Sequence, residues 1–272
     1  QNFAASGKNI VIWAREEELV TAINNNRENT LYLPGMKLHE NISATGSLSV
    51  AAKADVLLIV TPAQHLRTTL ENMKADLTET KPIVICAKGV EIQSGLLLSQ
   101  IAEEAAPKSP IAILTGPTFA AEIARGLPSA VTLAMKDKGT AEKLAEELST
   151  RSLRMYASDD VVGAQIGGAV KNVIAIACGI IEGKKLGDSA RAALVTRGLA
   201  EISRLGAALG AKKETLMGMC GVGDLLLTCS SMQSRNFSLG VALGQGETLK
   251  NILAKRNSVT EGVTTAQALV VM

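Results

Sequence analysis

Aromatic residues are scarce in this 272-residue chain, with three Phe, two Tyr and one Trp making 2% of the total. Single-stranded nucleic acids are held on aromatic stacking platforms, and six scattered rings do not build one. One-sided charge is also missing, since 28 Lys and Arg stand against 26 Asp and Glu. That balance excludes the field of a polyanion binder, so no nucleic-acid partner is expected. Recognition falls instead to backbone groups, charges and small residues. Histidine occurs only at His39 and His65, and Cys86, Cys178, Cys220 and Cys229 form no CxxC pair. Neither a zinc site nor a disulfide scaffold follows. No metal is expected, and the thiols read as buried and reduced, as in a cytoplasmic protein. The longest apolar run, 173–181, is preceded by Lys171 and Asn172 and is too short to cross a bilayer, so no membrane span is expected. No signal peptide is expected.

A glycine fingerprint of the GxGxxG kind is absent as well. The chain starts at Gln1, and residues 1–8 read as the end of a helix capped by Gly7. Residues 266–272 read as an apolar helix without a cap. Both ends suggest a piece of a longer protein, with a first strand and glycine loop before Gln1 and further helices after Met272.

What is present is a regular alternation. Apolar runs at 9–13, 56–60, 83–87, 111–114 and 131–135 suit strands covered on both faces. Helical spacing occurs between them at 16–25, 66–74, 94–105, 119–125 and 140–149. The alternation predicts a parallel, doubly wound, Rossmann-like α/β domain over residues 1–155. From 156 to 272 an all-α domain is expected, with helices at 161–181, 189–209, 213–228, 236–244, 248–255 and from Val259. No Pro/Gly/Ser-rich linker separates the two parts, so they should pack tightly.

Several residues carry chemistry in this frame. Lys171 lies in a helix too apolar to face water, and burial lowers a lysine pKa. The alternative is a lysine that snorkels to the surface. Gly167 weakens that helix by roughly 1 kcal/mol against Ala, which makes sense where a ligand or backbone approaches closely. Lys88 follows a strand at its C-terminal end, where open α/β sheets bind ligands. Gly116–Pro117–Thr118–Phe119–Ala120 also leaves a strand and opens a helix, either as an anion site or as a plain junction with Thr118 as N-cap. Asp224 and Thr228 share a helix face, with Asp224 as a simple cap the alternative. Arg235, between Ser234 and Asn236, opens a helix and suits a phosphate. Arg15, at the end of a strand, suits the 2′-phosphate of NADP, or is solvated beside Glu16, Glu17 and Glu18. Ser258–Val259–Thr260–Glu261 matches a capping box.

Read in order, KGVE, GPTFA, GGAVKNVIAI, RAALVTRGLAE, GVGDLLLTC and QSRN resemble the bacterial NAD(P)-dependent glycerol-3-phosphate dehydrogenase family over essentially the whole chain. The resemblance implies reversible reduction of dihydroxyacetone phosphate to sn-glycerol 3-phosphate for phospholipid synthesis, in a cytoplasmic homodimer. It implies Lys171 as general acid/base, supported by Asp224 and Lys88. It implies substrate contacts from Lys88, Gly116, Thr118, Asn172, Asp224, Ser234, Arg235 and Asn236. Cofactor contacts fall to Arg15, Lys88, Ala120, Arg235, Val259 and Glu261, with NADPH favoured over NADH. A reductase of another small acid and a non-catalytic metabolite sensor share this architecture. The pairing of GPTFA with QSRN speaks against the first, and a retained proton donor against the second.

Overall fold

The computed structural model describes residues 1–77, 80–256 and 259–271. The first half runs α1 (Asn2–Ala5), β1 (Ile10–Trp13), α2 (Glu17–Asn26), β2 (Glu28–Asn29), β3 (Leu33–Lys37), β4 (Ile42–Thr45), α3 (Leu48–Ala51) and β5 (Leu57–Ile59). It continues with α4 (Leu66–Met73), β6 (Ile83–Ile85), α5 (Leu98–Ala105), β7 (Ile111–Thr115), α6 (Ala120–Ala124), β8 (Ser129–Met135), α7 (Lys138–Leu148) and β9 (Leu153–Ser158). Helices follow: α8 (Val161–Gly183), α9 (Asp188–Ala208), α10 (Lys213–Leu216), α11 (Asp224–Cys229), α12 (Arg235–Gly244), α13 (Leu249–Ala254) and α14 (Glu261–Val271).

The main sheet has the order β5-β6-β7-β8-β9, while β1 and β4 form a separate parallel pair and β2 and β3 an antiparallel one. Strand β6 is buried on both faces, as its unbroken apolar run predicts. Ile83 and Ile85 enter one core with Leu66, Leu70, Leu98 and Ile101, and Val84 enters another with Leu133, Leu144 and Leu148. Strands β5, β6 and β7 are parallel, so their C-terminal ends share one edge.

Two expectations are corrected here. The sheet is not wholly parallel, because β8 runs antiparallel to β7. The connection holds only the five-residue α6, too short to carry the chain back along the sheet, and it turns at Gly126 with φ +73°. The single helix expected over 213–228 is broken into α10, a π-type turn at Met219–Gly223, and α11. Gly218 takes an extended conformation, and a Cβ on Gly221 would overlap the Leu216 carbonyl, so the chain folds back on itself there. The sheet also extends one strand further than the apolar runs indicate, through β9, which pairs parallel with β8.

Helix α8 organises the second half. It spans 23 residues at a mean hydropathy of 1.6, long and apolar enough by those measures to cross a membrane. However, 67% of its most apolar window is buried inside the protein, as in a core helix. Asp160 caps its start by accepting from Gly163 N–H at 2.8 Å. Against α12 it packs through glycines. A Cβ on Gly179 would overlap the Phe237 carbonyl, and one on Gly240 would overlap the Ile176 carbonyl. Gly183 and Gly244 repeat the contact one turn further along. Backbone therefore meets backbone, and the first turn of α12 is seated beside the middle of α8.

Candidate active site

Lys171 is 6% exposed and does not snorkel. Its ammonium donates to Asp224 Oδ1 and, at 2.9 Å, to Thr228 Oγ1. The Thr228 hydroxyl donates in turn to the Asp224 carbonyl at 2.6 Å. Asp224 is the first residue of α11 and is 1% exposed, and its side chain makes no capping bond. The cap reading is thus set aside in favour of the ion pair. Burial pushes the Lys171 pKa down to about 8, and the nearby charge of Lys88 pushes the same way, against the raising effect of Asp224. A lysine so placed exchanges protons close to neutrality, as a general acid/base requires.

The glycines of α8 open this niche. A Cβ on Gly167 would overlap the Cys220 carbonyl, so the close approach expected there is made by the π-type turn. A Cβ on Gly168 would lie 2.9 Å from Thr115 Oγ1 and 3.5 Å from Lys88 Cδ. Lys88 therefore crosses α8 one turn from Lys171, beside the end of β7. Thr115 Oγ1 and Asp224 Oδ2 are buried without a partner among the described residues. Buried polar atoms are nearly always paired, so these two mark a place for a polar ligand.

Helix α14 closes the niche from a third side. The Glu261 carboxylate accepts from Ala63 N–H at 3.3 Å, in the loop after β5. Burial raises its pKa, offset by the Ala63 N–H and by the charges of Lys88 and Arg235. Of the capping box, Ser258 lies outside the described residues. Gly262 N–H donates to Asn236 Oδ1 at 3.0 Å, and a Cβ on Gly262 would lie 2.8 Å from the Asn172 carbonyl. Asn172, Asn236 and Glu261 thus meet where α8, α12 and α14 converge. Ser234 caps α12, accepting from Phe237 N–H at 3.2 Å. Arg235 is exposed in its first turn, and its carbonyl accepts from Arg256 at 2.7 Å.

Other expected residues sit further out. Gly116 follows β7, where a Cβ would lie 2.9 Å from Val131 Cα, so the sheet itself requires glycine. Thr118 is half-buried, but it is not the N-cap of α6; Phe119 is, with no side-chain bond. Ala120 is exposed at the start of α6, which Gln233 bridges through Glu122 at 3.2 Å. Val259 is 45% exposed. Arg15 is separate from the niche: its side chain is 83% exposed and pairs with Glu16 at 3.4 Å.

Three participants went unassigned in the sequence. Thr228 shares a face with Asp224, but spacing alone does not tell that its hydroxyl holds the lysine. Thr115 and Arg256 carry no local signal, being an ordinary strand threonine and a surface-like arginine. All four cysteines are free thiols.

Comparisons with known proteins bear on this site. The family profile for the NAD-dependent glycerol-3-phosphate dehydrogenase N-terminus matches residues 1–141, and that for the C-terminus matches residues 160–272. A glycerol-3-phosphate dehydrogenase (NAD(P)+) of Parvibaculum lavamentivorans is 58% identical over 269 residues, covering 99% of this chain and 81% of the relative. Its counterpart in Caulobacter vibrioides is 51% identical, covering 98% and 80%. The crystal structure of glycerol-3-phosphate dehydrogenase from Coxiella burnetii superposes with a TM-score of 0.94 at 35% identity, covering 98% of this chain and 82% of that one.

Proposed function

This chain belongs to the NAD-dependent glycerol-3-phosphate dehydrogenase family, and from that premise we propose that Lys171 moves the proton of the reaction in the cleft between sheet and helices. The chain is an NAD(P)-dependent oxidoreductase acting on glycerol 3-phosphate. Oxidising the secondary alcohol of that substrate yields dihydroxyacetone phosphate, and the reverse direction reduces the ketone.

The residues present fit a dinucleotide. Thr61 and Thr265 carry buried hydroxyls with no partner among the described residues, and Thr265 Oγ1 lies 3.4 Å from the Cβ position of Gly89. Together with Glu261 they make a donor and acceptor set suited to ribose hydroxyls. Arg15, Lys88, Ala120, Arg235, Val259 and Glu261 would hold the cofactor, with Arg15 favouring the 2′-phosphate of NADPH. When bound, the cofactor supplies or accepts the hydride at the substrate carbon.

Everything else is done by the chain. In reduction, the Lys171 ammonium gives its proton to the carbonyl oxygen as negative charge builds there. Asp224 and Thr228 hold the ammonium in place, and Lys88 keeps its pKa low. Arg235 and the N–H groups at the start of α12 bind the phosphate, with Ser234, Asn236, Asn172, Gly116 and Thr118 shaping the rest of the pocket. Charge and backbone suffice for so small a substrate, in keeping with the shortage of aromatics.

The observation that carries this reading is the buried Lys171 ammonium between Asp224 and Thr228, with a pKa of about 8. Its test is turnover of dihydroxyacetone phosphate with NADPH by Lys171→Ala. Loss of turnover with cofactor binding retained is expected, and unchanged turnover would sink the assignment.

A further inference from the structure

Glu91 is 6% exposed, a buried carboxylate three residues beyond Lys88. It accepts from Arg67 Nε at 3.0 Å and Arg67 Nη2 at 2.9 Å, and from Ser94 Oγ at 2.5 Å. The Arg67 contact is a two-pronged fork from α4, and its third nitrogen reaches Glu104 on α5 at 2.8 Å. Gln64, one turn earlier, brackets the same site. Its side-chain amide donates to the Val90 carbonyl at 2.8 Å and accepts from Ile92 N–H at 3.0 Å, as a paired strand would. Val90 also bridges Leu97, so the 90–97 segment is closed as a small loop. Only Gly89 separates this anchored segment from Lys88. It sits at φ +148°, and a Cβ there would lie 3.0 Å from Ala63 Cβ.

A half-buried ion pair such as this, with Arg67 31% exposed, adds little net stability. A bidentate fork, however, fixes both position and direction. No apolar contact at Glu91 would set the direction in which the chain leaves toward Lys88. We infer that Glu91, Arg67 and Gln64 form a clamp that positions Lys88 over Gly168, and that they are positioning residues for the reaction. Their effect is delivered through two properties of Lys88, its contact with substrate and its charge beside Lys171. The inference rests on the roles proposed above for Lys88 and Lys171.

The test uses the full-length enzyme with Glu91→Gln, Gln64→Ala and, as reference, Lys88→Met. Glu91→Gln keeps the shape of the carboxylate and removes the charged fork. KM for dihydroxyacetone phosphate is expected to rise by at least about tenfold, the worth of one charge-assisted hydrogen bond. The alkaline limb of the kcat profile for reduction should move to higher pH, in the direction of Lys88→Met, because a displaced Lys88 no longer lowers the Lys171 pKa. The NADPH dissociation constant should rise less than this KM, because Lys88 is one of six residues placed on the cofactor and the other five keep their positions. A lowered Tm with both KM and pH limb unchanged overturns the clamp as a positioning device. If Glu91→Gln does not fold, Gln64→Ala gives the same reading, because it removes the bracket and leaves the ion pair. Should Lys88→Met itself leave KM and limb unmoved, the role of Lys88 fails first and the clamp falls with it.

Discussion

Lys171 and Asp224 form a buried pair in which one carboxylate oxygen holds the ammonium while the other, Oδ2, has no partner among the described residues. The ammonium is thus tethered from one side and free to give a proton on another. Its pKa of about 8 reflects burial first and the Lys88 charge second. Reduction of the ketone needs the protonated form. The kcat for reduction should therefore be level at low pH and fall as pH rises through about 8. The reverse oxidation needs the free amine and should rise over the same interval. Steady-state kcat against pH in both directions checks this, and two limbs that do not mirror each other would exclude Lys171 as the shared proton carrier.

Much of this pair was legible in the sequence. A lysine inside the apolar run of α8 is anomalous by its neighbours alone, and Asp224 and Thr228 share a helix face by spacing. The partnership of α8 and α11 was legible only through the family resemblance, because 53 residues separate Lys171 from Asp224 and no spacing or periodicity names the partner. Strand direction was equally hidden. The buried runs of β7 and β8 look alike whichever way they point, and only the shortness of α6 distinguishes them. The 28–45 segment was missed for a different reason. Strands β2 and β3 show no alternation or apolar run, and β3 carries Pro34 and Gly35, while β4 alternates, with Ile42 and Ala44 buried and Ser43 exposed, over only four residues.

Removing the charge of Asp224 tests the pair from its other end. Asp224→Asn takes away the group that raises the Lys171 pKa, so the alkaline limb of reduction should move to lower pH. It also leaves an ammonium buried without its counter-ion, at a cost of about 3–5 kcal/mol. A folded lysine pKa below the unfolded value makes stability rise with pH between those two values, because the unfolded chain binds more protons there. The loss of Tm should therefore be larger at about pH 6 than at about pH 9, where the amine is neutral. Thermal melts at the two pH values check it, and an equal loss at both would mean that Lys171 titrates alike in variant and wild type, so that the Asp224 charge does not set its pKa.

Arg15 stands just after β1 with its side chain 83% exposed and, among the described residues, only Glu16 as a partner. An exposed pair of that kind is weak and is easily exchanged for a phosphate. Arg15→Ala should lower kcat/KM with NADPH by about tenfold, the worth of one charge-assisted hydrogen bond. With NADH, which lacks the 2′-phosphate, it should change little. The ratio of the two values is the measurement, and a constant ratio would free Arg15 from any part in cofactor choice.

Gly240 joins the fold to the site. A Cβ there would overlap the Ile176 carbonyl, so Gly240→Ala forces α12 away from α8. Alanine favours a helix over glycine by about 1 kcal/mol, but overpacking at a backbone contact costs about 1–3 kcal/mol or more, and the contact wins. Tm should fall. Gly139→Ala in α7 is the matched control, because its Cβ would meet only Asp137 Oδ2, at 3.7 Å, and Tm should hold or rise. The displaced α12 carries Ser234, Arg235 and Asn236 at its first turn. KM for dihydroxyacetone phosphate should therefore rise in Gly240→Ala and stay put in Gly139→Ala. A drop in Tm with an unchanged KM would mean that the start of α12 holds its place without the glycine contact, anchored instead by the Asn236–Gly262 bond to α14.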